Sequence, residues 1–225
     1  MGWGKKGLER LLFLLVALLL GGCATPSPSL LPASVPLPDT HERAITPLAY
    51  IDFCMRRPDQ CAADPGPRTV LALDAAMWQR LKTVNHTVNT AIAPEEDQTH
   101  YGRNEFWTIP TDGHGDCEDY ALTKRKELLD AGLPASALRL AVVYSIKTAL
   151  HAVLTVSTDK GDLVLDNVTD AIVAWNATDF TWIMVQDKAN PLWWDSLRPR
   201  SAHSGNTAGS GRVSVTNLLT DPDGR

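Results

Sequence analysis

Residues 113–134, GHGDCEDYALTKRKELLDAGLP, decide how the rest of the chain is read. A glycine-punctuated loop ends at Gly115, and Asp116 then offers a side chain suited to cap a helix, with Asp119 three residues on in the manner of a capping box. Tyr120, Ala121, Leu128 and Leu129 give this helix one apolar face, which puts Lys124, Arg125 and Lys126 mostly on its wet side. Gly132-Leu133-Pro134 closes it. After it the period changes from helical to extended. Leu138 to Ile146, Ala152 to Ser157, Leu163 to Leu165 and Thr181 to Val185 are short β-prone runs, joined by turn signals at residues 158–162 and 176–179. Upstream, apolar residues from Val70 to Ile92 recur every three or four positions, so residues 66–100 read mainly as helix, and residues 94–115 are loop-like. Helices first and a meander of strands afterwards predict an α+β domain, with N-terminal helices packed on an antiparallel sheet.

The 225 residues are 44% hydrophobic, enough to build one or two domains and too apolar for a disordered chain. Only one apolar run, Leu11 to Leu20, could enter a bilayer, and ten residues fall short of a span of about 30 Å. Following Lys5, Lys6 and Arg10, it reads as the core of a signal peptide over residues 1–22. Leu20-Gly21-Gly22-Cys23 looks like a lipobox, with Cys23 the lipidated residue; an ordinary signal peptide with an incidental cysteine is the alternative. The leader carries a net +2, so its removal takes the charge from −5 to −7. With no basic cluster longer than Lys124-Arg125-Lys126, nucleic acid is not an expected partner. The proline-rich residues 23–44 read as a lipid-anchored flexible tether, 45–198 as the folded domain and 199–225 as a disordered tail. Ala24 after the cysteine favours the outer membrane, hence a periplasmic protein anchored there.

Export permits disulfides, and Cys54 and Cys61 either close a short loop or remain two buried thiols. If they pair, Cys117 is left over. It falls on the first turn of its helix, where free backbone N–H groups and the dipole favour a thiolate. His151 opens one β-run and Asp166 ends the next, and an antiparallel hairpin through 158–162 sets the two near each other. Taken singly, each has an ordinary explanation: a structural thiol, a surface histidine, a turn aspartate. Their joint placement at a helix start, a strand start and a strand end suits a nucleophile, a base and an orienting carboxylate. His114 on the glycine-rich loop either contacts substrate or is merely solvated, and Trp107 either walls a cleft or packs. His41, His86, His100 and His203 share no spacing that suggests a metal site.

The same residues resemble a known family. Gly115-Asp116-Cys117-Glu118-Asp119-Tyr120-Ala121, then Lys124-Arg125, His151-Ala152-Val153-Leu154 and Leu165-Asp166-Asn167, are similar to the bacterial transglutaminase-like cysteine peptidases. These are the LapG-like periplasmic proteases of the papain/transglutaminase fold group. The likeness extends through Phe53-Cys54, Pro58, Cys61, Val84-Asn85, Val88-Asn89-Thr90-Ala91-Ile92, Tyr101-Gly102 and Trp107, and so covers about residues 45–195.

The resemblance implies a papain/transglutaminase-like core and peptide-bond hydrolysis through a thioacyl-enzyme, with Cys117 the nucleophile, His151 the general base and Asp166 its orienter. It also implies a protein substrate such as a large surface adhesin, an inner-membrane regulatory receptor, and calcium held by Asp116 and Glu118; no cofactor is required for the chemistry itself. No EF-hand-type loop accompanies those two carboxylates. Glu105 stands where the family commonly has an aspartate, and a lipobox is atypical of its soluble periplasmic members. Two rivals share the residues: an amidase or transglutaminase, in which the same thioester is resolved differently, and a non-catalytic peptide-binding lipoprotein with an unreactive Cys117.

Overall fold

Alternate residues of the central strands face two separate layers, and both layers are buried. The computed structural model describes residues 34–198 apart from His41, Asp64, Pro65 and Arg68. The expected leader, Cys23, the tail 199–225 and His203 therefore lie outside the described residues, as do His41 and most of the tether. In chain order the elements are β1 (Arg43–Ala44), α1 (Leu48–Arg56), α2 (Ala75–Ala91), β2 (Ala93–Pro94), α3 (Asp97–His100), β3 (His114–Gly115) and α4 (Cys117–Asp130). There follow β4 (Leu138–Ser145), β5 (Ala149–Thr158), β6 (Gly161–Leu165), β7 (Val173–Ala174), β8 (Thr181–Gln186) and β9 (Trp194–Ser196). Seven strands form one antiparallel sheet in the order β1-β9-β8-β4-β5-β6-β7. The architecture is the expected α+β one, helices on an antiparallel sheet, consistent with a papain/transglutaminase-like core.

On one face, Leu138, Leu140, Ala152, Leu154 and Leu165 pack against Ala121, Leu122 and Leu128 of α4. On the other, Ala141, Val143, Val153, Val164 and Val185 meet Trp182, with Trp175 and Phe180 at the margin. Leu37, within the expected tether, closes this second layer at 2% exposure. The Val35 carbonyl accepts from Trp175 Nε1 at 2.7 Å and Ser34 Oγ donates to the Asp162 carbonyl at 3.1 Å. Sheet faces buried on both sides explain why the strands read as near-continuous apolar runs.

Three local expectations are corrected. The helix expected over 66–100 is confined to Ala75–Ala91, with one further turn at Asp97–His100. Asp74 caps it by accepting the Met77 amide at 2.7 Å, while Leu71 upstream instead bridges to Thr158. Lys124 and Arg125 are not on a wet side: they are 1% and 2% exposed. Arg125 donates from Nη1 to the Gln60 carbonyl at 2.7 Å and from Nε to that of Leu138 at 3.1 Å, so buried charge meets carbonyl dipoles. Asp116 takes the expected N-cap position, but its side chain makes no cap bond, and Asp119 Oδ1 accepts from the Thr108 amide. The end of α4 is as expected: Gly132 takes φ +84°, with the Leu133 amide bonded to the Leu128 carbonyl. Cys54 and Cys61 form a disulfide.

Candidate active site

Cys117 is the first residue of α4 and, among the described residues, the free cysteine. Pairing of β5 with β6 stops at Leu154↔Leu165, and two residues beyond it the Ala152 amide donates to Cys117 Sγ at 3.4 Å. This sets the sulfur against the strand that carries His151. The thiol in turn donates to Glu118 Oε2 at 3.1 Å.

His151 is buried on β5, and its Nε2 lies 2.8 Å from Asp166 Oδ1, the first residue past β6. The hairpin register runs Thr158↔Gly161 to Leu154↔Leu165, two residues away from one that would set His151 directly opposite Asp166. The contact is made diagonally, where the strands have parted. Asp166 Oδ1 also accepts the Val168 amide at 3.1 Å. Burial pushes this carboxyl up, but the hydrogen bond and charge of His151, the Val168 amide and the Lys124 ammonium outweigh it and hold it below the usual range. With Nε2 at Asp166, Nδ1 is the ring nitrogen that this carboxylate does not engage. A cleft of about 440 Å³ opens beside the pair, lined by Thr148, Val164, Val168, Thr169, Asp179 and Phe180 among others.

Around the start of α4 the charge is one-sided. Asp97, Glu105, Asp116, Glu118 and Asp119 crowd together, and none forms an ion pair with a lysine or arginine among the described residues. Burial is the first cause that raises each of them, and their mutual repulsion adds to it for most: Asp97 is pushed up to about 6 and Asp119 to about 8. The thiol responds in the same direction. Burial, then the charges of Glu118 and Asp116, push Cys117 well above its ordinary value, against a smaller lowering by the Ala152 amide. The thiolate-favouring helix dipole expected at this position is thus overridden, by burial first and by the neighbouring carboxylates second.

These residues fit a hard divalent cation. Asp97, Asp116 and Asp119 each offer an oxygen within 4.8 Å of the others, and Asp97 Oδ1, Asp116 Oδ1 and Asp119 Oδ2 are buried without a hydrogen-bond partner. Asp116, Cys117 and Glu118 form a second such group, but a thiol is a poor ligand for an oxygen-seeking ion such as calcium. Of the expected pair, Asp116 therefore sits squarely in the oxygen cluster and Glu118 between it and the sulfur. Nothing in the sequence marks Asp97 or Asp119 as a ligand. The parallel register Ala93↔His114 and Pro94↔Gly115 between β2 and β3 explains the first, since it carries Asp97 to the side of Asp116.

The other marked residues take ordinary places. His114 Nδ1 pairs with Glu95 at 3.0 Å on the surface, and His100 Nε2 with Asp112 at 2.9 Å. Trp107 is buried edge-on to Tyr50 and Trp194, so it packs.

A family model described as bacterial transglutaminase-like cysteine proteinase matches residues 40–202. No curated protein matches the chain. Among solved structures, EGTA-treated LapG of Legionella pneumophila is 25% identical over 58% of this chain and 72% of its own, with a TM-score of 0.46. The calcium-bound form of the same protein is 20% identical over 72% of this chain and 85% of its own, with a TM-score of 0.47.

Proposed function

Because the chain belongs to the bacterial transglutaminase-like cysteine proteinases, we propose that Cys117, His151 and Asp166 are the groups with which it hydrolyses peptide bonds. The observation that carries the proposal is one of placement: His151 Nε2 at 2.8 Å from Asp166, and Cys117 Sγ held by the amide of the very next residue, Ala152.

The steps follow from those positions. His151 Nδ1 takes the thiol proton as Sγ attacks the scissile carbonyl carbon, and Asp166 stabilises the imidazolium that forms. The oxyanion develops beside the backbone amides of the first turn of α4, the donors that a helix start leaves for it. The imidazolium protonates the leaving amine, and the carbon–nitrogen bond breaks to give a thioester. His151 then takes a proton from water, whose oxygen displaces the sulfur and releases the acid product.

Asp97, Asp116 and Asp119, with Glu118 beside them, would hold a calcium ion. Bound there, the ion supplies positive charge that offsets the carboxylates and eases ionisation of the neighbouring thiol. In this reading the enzyme is exported, lipid-anchored through Cys23 and acts on a protein substrate such as a surface adhesin, under an inner-membrane receptor.

Alkylation by iodoacetamide tests the nucleophile. Cys117 reacts at neutral pH with calcium present and slows about a hundredfold in His151→Gln; a thiol that stays inert, as in a peptide-binding module, overturns the proposal. A labelled amine tests the outcome of the thioester. Absence of incorporation supports hydrolysis, and incorporation makes the chain an acyl transferase.

A further inference from the structure

The proposed triad leaves unused a group of polar side chains on α2 that grip the segment immediately following β6. Asp166 lies on a five-residue loop, 166–170, whose own side chain already bends back to the Val168 amide. What holds that loop in place comes from two turns of α2. Asn89 Nδ2 donates to the Asp166 carbonyl at 3.0 Å, to Asp170 Oδ1 at 2.9 Å and to the Thr169 carbonyl at 3.3 Å. Asn85, fully buried one turn earlier, donates to the same Thr169 carbonyl at 3.3 Å. His86 Nδ1 meets Asp170 Oδ2 at 2.7 Å. The acceptors all belong to the loop, while the side-chain oxygens of Asn85 and Asn89 have no partner. An amide whose two hydrogens serve three acceptors on one loop, and whose oxygen is left idle, is placed for its donors.

We propose that Asn89 is a positioning residue of the active site, its side-chain amide pinning loop 166–170 so that the Asp166 carboxylate stays in hydrogen bond with His151; this rests on the reading of Asp166 as the orienting carboxylate. Asp166 stands past the end of β6, so no ladder bond fixes it, and its contact with His151 is a diagonal one across parted strands. A loop free to shift there would move the carboxylate by a fraction of its 2.8 Å reach and weaken the bond that orients the imidazole. Asn89 bonds the backbone of Asp166 itself, at the one place where the shift would begin. Asn85 reaches only Thr169, and His86 only Asp170, so neither substitutes for it.

The test uses the full chain with calcium held constant. The readouts are the low-field proton resonance of the His151–Asp166 hydrogen bond and the rate of Cys117 alkylation by iodoacetamide. Asn89→Ala is expected to lose or displace the resonance and to slow alkylation about tenfold, even where the folded protein is intact. In an Asp166→Asn background the same change is expected to alter the rate by less than about twofold, because its route runs through Asp166. If Asn89→Ala does not fold, Asn89→Ser, which keeps a shorter donor, gives the same readouts. A retained resonance with an unchanged rate, or an equal loss in both backgrounds, makes Asn89 a purely structural tie. Asp166→Asn alkylating like wild type overturns the triad reading instead, and the resonance still reports whether Asn89 holds the loop.

Discussion

Replacing Asp119 with asparagine should stabilise the protein in the absence of calcium, and by an amount that grows with pH. Asp119 Oδ1 accepts the Thr108 amide, whereas Oδ2 is buried without a partner among like charges. Burial, first, and then Asp116 and Asp97 raise this carboxyl from 3.8 to about 8. Below about pH 4 both folded and unfolded chains are protonated and the shift costs nothing. Between about 4 and 8 the unfolded chain releases a proton that the folded one retains, so stability falls as pH rises, and above about 8 the loss is complete. At 1.36 kcal/mol per pH unit, the penalty near pH 7.5 has a ceiling of about 5 kcal/mol. Asparagine keeps the acceptor for Thr108 and carries no charge, but its buried amide costs about 2–3 kcal/mol to desolvate. The net gain is about 2 kcal/mol near pH 7.5, shrinking and then reversing toward pH 4. Urea unfolding in chelator across that range measures it. A variant less stable than wild type near pH 7.5, or a gain that does not diminish on acidification, refutes the reasoning. Added calcium should reverse the order, since the wild type alone keeps the full set of ligands.

Other expectations follow from single contacts. Gly115→Ala would bring a Cβ to 2.5 Å from Asp119 Oδ2 and 2.8 Å from its Cβ, so a cost of about 1–3 kcal/mol and weaker calcium binding are expected by urea titration and calorimetry. An unchanged affinity would show that the cluster tolerates the shift. Reducing Cys54–Cys61, seven residues apart, should lower stability by about 2.5 kcal/mol and leave the fold; an unmoved urea midpoint contradicts this. Leu37→Ala should cost about 2–3 kcal/mol, because Leu37 closes the second layer of the sheet; a loss below about 0.5 kcal/mol would show that segment is not part of the core.

Much of the candidate site was legible because it depends on element ends, which leave local signals. Cys117 follows a glycine-rich loop and opens a helix, His151 lies near a strand start, and Asp166 ends another. The likeness carried by Gly115-Asp116-Cys117-Glu118-Asp119 tied them to one family, whose sequence model matches most of the chain. What escaped depends on partners distant in sequence. A helical wheel can rank one face of α4 as the more apolar, yet it cannot show that Lys124 and Arg125 on its other flank are buried too. Two- and three-residue strands such as β1, β7 and β9 are set by their neighbours rather than by propensity. Leu37 is hidden in a proline-rich stretch whose composition suggests only a spacer. Asp116 and Asp119 have capping-box spacing, and only the approach of Asp97 across the β2–β3 pair shows that their oxygens turn toward one another.

The central claim is that one sulfur, served by one imidazole, cuts polypeptide. The most direct test is to incubate envelope proteins with the wild-type chain or with Cys117→Ala, calcium present, and to map newly formed N-termini by mass spectrometry. New termini that appear with wild type and vanish with Cys117→Ala are the expected result. Identical termini from both proteins, or none from either, contradict the account.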